Sequence, residues 1–358
     1  MFLEKKKVND DKQLLVKKLF TNKTTNIYIL GRNTSAKKLA KVISYDGFID
    51  DYTDETIYLN KPIVKSNFID KDAIVISCSL AIYPHSAIKS LQKQGIKNIL
   101  NYLEVMMYAQ NTNLTMPFLD DAYNDLQINR DKYDYIYSRL SDDKSKAVFT
   151  NILNFRSTKD LTYMKNYIVD PIGQYFEDFL DLQKDEVFID AGGYDGQTSL
   201  EFIKLSPDYK AIYIFEPSEE NLKLAKENLK SYKNVNFISK GLSNKEETLK
   251  FDTNSGSASS ISLEGSVEIH VDTLDSIVDE KVTFVKMDIE GAEALALEGM
   301  KQHIINDHPK LAISVYHKAD DFWKIPKQIL AIHDDYNLYI RHYTEGTDET
   351  VMFFIPQK

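Results

Sequence analysis

The sequence predicts an α/β protein. A C-terminal, doubly wound, Rossmann-like sheet with an antiparallel edge hairpin follows a smaller N-terminal α/β domain and a helical connection. Three observations carry that prediction. Short apolar, β-branched runs alternate with helical stretches in both halves of the chain, the pattern of parallel strands joined by crossover helices. No glycine occurs between Gly95 and Gly173, so a glycine-free stretch separates the halves. Several runs end at acidic residues or glycine turns, where open α/β sheets bind their ligands. At 358 residues the chain is too long for one ordinary core, and the predicted boundaries are 1–105, 106–184 and 185–358.

In the first domain, Asn26 to Leu30 reads as a strand, Gly31 as a turn, Ala36 to Ile43 as a helix and Gly47 to Asp51 as a second strand end. Ala73 to Ser77 supplies a third strand, Ser86 to Gln94 a helix and Ile96 to Leu100 a fourth strand. The turn from Gly31 to Ala36 keeps one glycine of the G-x-G-x-x-G fingerprint, so no dinucleotide is expected there. Gly31, Asp50 and Asp51 are candidates for a nucleotide contact, with a scaffold or oligomer contact as the alternative.

The connection is rich in Tyr, Phe and charged residues and, free of glycine up to Gly173, favours helices, the IGQYFEDFLDL stretch included. The aromatic stripe Tyr133, Tyr137, Phe149 and Phe155 reads as packing. A helical segment just before the next sheet can also lie over its ligand cleft. Arg156, Tyr175 and Phe176 are therefore candidate substrate-lid residues.

The second sheet is organised around Glu186 to Leu200, EVFIDAGGYDGQTSL. Val187, Phe188 and Ile189 read as a strand buried on both faces and closed by Asp190. Gly192, Gly193 and Gly196 allow a sharp turn and a close approach by a ligand, and Thr198 to Phe202 can open a helix whose free N–H groups face the loop. Asp190, Gly192, Gly193, Asp195 and Gly196 are read as a cofactor loop, with a purely structural turn as the alternative. The next run, AIYIFEPSEEN, reaches Glu216 twenty residues after Gly196, the spacing that sets a ribose-binding carboxylate beside such a loop. Ser218, with Asn221 three residues on, fits the helix cap better than Glu216 does. The glycine order fits a pyrophosphate poorly, and Asp190 would repel one while meeting the ammonium of an amino-acid moiety. The expected cofactor is S-adenosylmethionine.

Leu222 to Ser231 reads as a helix, Val235 to Ser239 as a strand and Lys240 to Asn244 as the loop after it, which makes Gly241 and Ser243 candidate adenine neighbours. Ser255 to Ile261 is a small-residue connection, and His270 to Ser276 a short strand running into a helix start. In TFVKMDIEGAEALAL, Phe284 to Met287 forms a buried strand ended by Asp288, with Glu290 and Glu293 at the turn into a helix. Three carboxylates within six residues require solvent, a cation or a hydrogen-bonding substrate, so Asp288, Glu290 and Glu293 are candidate ligands of a divalent cation. Acids favoured at a helix N-terminus are the alternative for Glu290 and Glu293. Leu311 to Tyr316 delivers His317, which with an ordinary pKa near ~6.5 suits a neutral general base, or else a capping role. Trp323 and Pro326 follow on a helix, and Tyr336 to His342 and Thr350 to Ile355 make the edge hairpin.

Lys and Arg number 44 against 54 Asp and Glu, a net charge of -10 that gives no general reason to bind nucleic acid or an anionic membrane. The single Cys78 excludes an internal disulfide and lies in an apolar run as a buried small residue. With no run of about 18 apolar residues and a charged N-terminus, a soluble cytoplasmic protein without membrane insertion is expected, and a homo-oligomer remains open.

In order, FIDAGGYDGQTS, IFEPSEEN, VDTLDS, VKMDIEGAE, SVYHKADDFWKIP and YIRHYTEGTDETVMFFIP resemble the FkbM family of S-adenosylmethionine-dependent methyltransferases, from about Leu140 to the C-terminus. The resemblance implies a Rossmann-like methyltransferase fold and O-methylation, often of sugar or polyketide hydroxyls. It implies that Asp190, Gly192 and Gly196 match the donor loop, Glu216 the ribose acid, and Asp288, Glu290, Gly291 and Glu293 the D-x-E-G-A-E run. Gly193 and Tyr194 depart from the commoner G-A-N form of that loop. The Gly31 turn and GFIDD strand are similar to small nucleotide-sugar-binding domains attached to some sugar-modifying enzymes.

The expected function is methyl transfer from S-adenosylmethionine to a hydroxyl of a small-molecule acceptor, a sugar or glycan precursor, by in-line displacement. Asp288 and Glu290 would orient the acceptor or hold a cation, and His317 would take the hydroxyl proton. An NAD-dependent nucleotide-sugar oxidoreductase would share the glycine loop and ribose acid but should carry a better G-x-G-x-x-G. A non-catalytic scaffold that kept the fold should have lost Asp190 and Glu216.

Overall fold

In a computed structural model describing residues 3–5, 7–21, 24–109, 112–252, 260–261 and 267–357, the chain divides into two units. The first comprises Met1–Ile128, Phe149–Val169 and Tyr343–Asp348, and the second Asn129–Val148, Asp170–His342 and Glu349–Lys358.

The first unit is built on strands β1 (Ile27–Leu30), β2 (Gly47–Ile49), β3 (Ile57–Tyr58), β4 (Lys61–Val64), β5 (Ile74–Ser77) and β6 (Asn98–Asn101), in the order β3-β4-β2-β1-β5-β6. All neighbours are parallel except β3 with β4. The β3–β4 hairpin was not expected: its strands are short, include Pro62 and lie half-exposed, so they carry no apolar run to read. Helices α1 (Asp10–Thr21), α2 (Thr34–Ala40), α3 (Pro84–Lys93), α4 (Tyr102–Tyr108) and α5 (Pro117–Ile128) belong to this unit. Asn33 caps α2 by accepting from the Ala36 N–H, and Asn101 and Glu104 cap α4 reciprocally. Gly31 adopts φ 98° after β1, as a glycine turn requires. The two acids after β2 are occupied: Asp50 pairs with Arg32 Nε at 2.9 Å, and Asp51 accepts from the N–H and Oγ of Ser66.

Helices α6 (Arg130–Arg139) and α7 (Asp143–Thr158) follow, and Tyr133, Phe149 and Phe155 are buried as the stripe suggested. The expected helicity stops at Thr158. Between Lys159 and Glu186 only single 3₁₀ turns form, at Leu161–Met164 and Asp178–Leu180, so IGQYFEDFLDL is not a helix. Pro171 and Gly173 open that stretch and Asp181 takes φ 47°, all of which interrupt a helical ladder.

The second unit holds β7 (Val187–Ala191), α8 (Gln197–Leu205), β8 (Ala211–Phe215), α9 (Glu219–Leu229) and β9 (Val235–Ile238). After these come β10 (Gly241–Leu242), β11 (Glu247–Asp252), β12 (Ser260–Ile261), β13 (Val267–Asp272) and α10 (Leu274–Ile277). The unit continues with β14 (Phe284–Met287), α11 (Glu293–Glu298), α12 (Lys301–Asp307), β15 (Lys310–Ser314), α13 (Asp321–Ile332), β16 (Tyr336–His342) and β17 (Thr350–Pro356). Its large sheet runs β16-β17-β15-β14-β7-β8-β9, parallel from β15 to β9 and antiparallel at β17 and β16. This is the doubly wound sheet with an antiparallel edge hairpin that the sequence predicts. Ser218 caps α9 by accepting from Asn221, as expected.

A second sheet, β10-β13-β11-β12, was not foreseen. It converts the expected loop at Gly241 into a short strand paired with β13. Most of the small-residue connection at Ser255 to Ile261 lies outside the described residues.

Every residue of β7 and of β14 is buried, which explains their continuous apolar character. Phe188 stacks on both Phe202 and Phe284, with ring centroids 4.3 and 5.0 Å away, and ties α8 to the sheet. Among the described residues no helix is long and apolar enough to cross a membrane.

Candidate active site

The loop between β7 and α8 lies at the carboxyl end of the parallel strands, and close packing accounts for each of its glycines. Gly192 has φ 76°, and a Cβ there would lie 1.8 Å from the Asp288 carbonyl oxygen. A Cβ on Gly193 would meet the Ile214 side chain at 2.3 Å, and one on Gly196 (φ 82°) the Leu229 side chain at 2.7 Å. The N–H groups of Gly192 and Gly193 both donate to the Phe215 carbonyl, at 3.0 and 3.2 Å. Asp195 Oδ1 accepts from the Gln197 N–H in the first turn of α8.

Glu216 follows β8 and folds against this loop. One carboxylate oxygen accepts from the Tyr194 N–H at 3.0 Å and the other from the Ser218 N–H at 2.9 Å. Burial pushes its pKa up, against those bonds. Tyr194 holds φ 46° and is exposed, so the loop presents its backbone to the Glu216 carboxylate and its ring to solvent.

Asp190 requires a correction. It was expected to meet the ammonium of a bound cofactor, but it is fully buried beneath the loop, its Oδ2 accepting from Ser199 Oγ at 2.7 Å and its Oδ1 lying 3.1 Å from Lys286 Nζ. Lys286 stands directly opposite Asp190 in the β14–β7 register. Its ammonium also donates to the Ala191 and Gly192 carbonyls at 3.2 and 2.6 Å. The pair therefore holds the loop from below. The one local signal for Lys286 is a lysine inside a run otherwise apolar and buried on both faces, which needs an acid beside it.

Gly241 and Ser243 do not form an open loop. Gly241 pairs with Val271, and the Ser243 N–H donates to the Asp272 carbonyl at 2.8 Å. Ser243 is buried, its carbonyl so close to Gly299 that a Cβ there would lie 2.0 Å away.

The acidic turn after β14 gathers around His317. Glu293 is buried, and its Oε1 accepts from the Ile289 and Gly291 N–H groups at 3.0 and 3.3 Å. The same oxygen lies 3.0 Å from His317 Nδ1, while His317 Nε2 lies 3.3 Å from Asp288 and 3.7 Å from Glu290. Burial opposes an imidazolium here, but Glu293, Asp288 and Glu290 outweigh it and hold the pKa at about 10. His317 is thus a cation at neutral pH, not the neutral base expected from its ordinary pKa. Burial, with Asp288, Glu293 and Glu349, raises Glu290 to about 7 against the pull of His317.

Asp288, Glu293 and His317 offer donor atoms within 4.8 Å of one another, so they could hold a metal; Glu290 stands outside that group. Asp288 Oδ2 also accepts from Tyr175 Oη at 2.6 Å, and Tyr316 Oη approaches both Asp288 and Glu349. Gln174 donates to Glu349 at 2.8 Å. Gln174, Tyr316 and Glu349 were not anticipated, and nothing local in the sequence marks them.

Of the three expected lid residues, Tyr175 and Phe176 lie in the second unit and Arg156 in the first. Tyr175 is buried against Asp288, and Phe176 packs edge-on against the core residue Phe284. Arg156 belongs to the first unit, where its buried guanidinium lies over the Phe118 ring. Phe176, turned into the core, is not placed as a lid residue.

Residues 190–345 match the family model of the methyltransferase FkbM domain. No curated protein matches the chain. The crystal structure of methyltransferase FkbM from Methylobacillus flagellatus KT shares the fold, with a TM-score of 0.73 at 23% identity, covering 97% of this chain and 94% of that one. An rRNA methylase from Streptococcus thermophilus is more distant, with a TM-score of 0.35 at 16% identity over 51% of this chain and 93% of that one.

Proposed function

From the match of residues 190–345 to the methyltransferase FkbM domain, we propose that the chain moves a methyl group from S-adenosylmethionine to a hydroxyl of a sugar or glycan precursor. The observation that carries this reading is Glu216, whose carboxylate lies against the backbone of the β7–α8 loop at the carboxyl end of the sheet. A carboxylate so placed is suited to accept both hydroxyls of the cofactor ribose. The loop backbone, fixed by its glycines and by Lys286 beneath, would hold the rest of the donor.

The acceptor would lie against Asp288, Glu290, Tyr175, Tyr316 and Glu349, carboxylates and phenols that suit a polyhydroxyl compound. Glu290 is the most exposed carboxylate facing His317 and would take the hydroxyl proton. His317 would balance the charge of Asp288 and Glu293, a role the sequence left to a divalent cation. The methyl carbon then passes from sulfonium to acceptor oxygen in line, and holding the two together is worth about 7 to 11 kcal/mol.

Thermal unfolding with S-adenosylhomocysteine, with NAD and with neither tests the donor. A ligand at a hundred times its dissociation constant adds ~2.7 kcal/mol, roughly 5 to 10 °C for a domain of this size. A shift with S-adenosylhomocysteine, lost in Glu216→Gln, is expected. A shift with NAD alone would replace the reading with an oxidoreductase.

A further inference from the structure

A second cluster of donor side chains lies at the opposite end of the large sheet. Strands β15 and β16 run in the same direction, since Leu311 and Leu338 both pair with Phe354 of the antiparallel β17. Both strands begin at the sheet end away from the β7–α8 loop. His308 ends α12 just before β15, and His333 and Asp335 lie between α13 and β16.

The two imidazoles stack face to face with centroids 3.8 Å apart, and Tyr336 closes on His308 edge-on at 4.5 Å. Tyr336 is itself held by a hydrogen bond from its Oη to the Pro309 carbonyl. One oxygen, Asp335 Oδ1, approaches a nitrogen of each ring: His308 Nε2 at 3.0 Å, and His333 Nδ1. His308 Nε2 and Asp335 Oδ1 are nonetheless both buried atoms without an aligned hydrogen bond. The three donor atoms lie within 4.8 Å of one another.

We propose that His308, His333 and Asp335 form a zinc-class metal site, separate from the methyl-transfer centre. Two imidazole nitrogens and one carboxylate suit Zn²⁺ and its borderline neighbours, whereas Mg²⁺ and Ca²⁺ prefer oxygen donors throughout. A fourth position is left for water. Bonds of about 2.0 to 2.2 Å require Asp335 to draw back and the His333 ring to turn out of the stack, so that the ion lies in both ring planes. Both side chains can do so, being 48% and 32% exposed, while His308, at 20%, stays seated against Tyr336. The bound ion would clip the α12–β15 turn to the α13–β16 turn.

Calorimetric titration of the metal-free, untagged full chain with Zn²⁺ tests the site. One ion per chain should bind and raise the unfolding temperature. His333→Gln changes a half-buried ring and should lower the metal-free unfolding temperature only slightly while weakening Zn²⁺ binding at least ~100-fold, beyond the range for losing an outer-shell partner. Asp335→Asn should weaken it as well, and both variants should keep the thermal response to S-adenosylhomocysteine. No Zn²⁺ binding to the wild type, or binding unchanged in His333→Gln, would overturn the proposal. The Asp288, Glu293 and His317 group would then be the place to look for any ion that does bind.

Discussion

Gly192 and Asp288 touch backbone to backbone: the space a side chain would need at residue 192 is filled by the Asp288 carbonyl. The loop after β7 and the acidic tip of β14 are thereby one rigid piece. Gly192→Ala would force both a left-handed alanine and a displaced strand tip. The expected cost is about 2 to 5 kcal/mol, from ~1 to 2 for the conformation and ~1 to 3 for the overlap. Urea unfolding measures it, and a loss under 1 kcal/mol would mean that the loop and strand are free to separate.

Lys286 and Asp190 predict a non-additive pair. Lys286→Met leaves a carboxylate uncompensated in the core and should cost about 3 to 5 kcal/mol. Adding Asp190→Asn should restore much of that loss, as a double-mutant cycle would show. Equal and additive losses would argue that the pair does not hold the loop.

Tyr175→Phe removes the hydroxyl that donates to Asp288. A net hydrogen bond to a charged group is worth about 1.5 to 3 kcal/mol, so stability should fall by an amount of that order. Methyl transfer should also fall, while the thermal response to S-adenosylhomocysteine stays as in the wild type. A variant that lost donor binding would move Tyr175 to the cofactor side.

Asp142 predicts an acid transition. Burial opposes its ionisation, but Arg341 and Ser145 outweigh that and hold its pKa at about 2. A depressed folded pKa contributes stability above the ordinary value near 3.8 and loses it as pH falls towards 2. The carboxylate is about a third exposed, so screening leaves about 1 kcal/mol. Asp142→Asn should lower stability at pH 7 by that order and flatten the unfolding curve between pH 4 and 2.

Much of the second unit was legible because strand and turn signals are local. Val187 to Ala191, Phe284 to Met287 and the two edge strands show in their apolar runs, and Glu216 shows by its distance from the glycine loop. The β3–β4 hairpin did not, because short, half-exposed strands have no period to detect. In the β10-β13-β11-β12 sheet β10 is equally short, but β11 and β13 read ETLKFD and VEIHVD, an apolar–polar alternation that does mark them as strands. Composition alone misjudged IGQYFEDFLDL, where the buried Gln174, Tyr175 and Leu180 are set by what lies beside them.

Local sequence pattern was enough for the strands of the large sheet, the glycine turn between β7 and α8, and the carboxylates that end β8 and β14. Tertiary structure decided what those groups face. Asp190 turned inward because the sheet order sets β14 beside β7 and Lys286 across from it. Asp288 gained Tyr175 from 113 residues away, and Glu349 gained Gln174 from 175 away. His317 became a cation because three acids surround it in the folded chain. A side chain's charge and hydrogen bonds follow from neighbours brought together by strand order, and no local pattern encodes those neighbours.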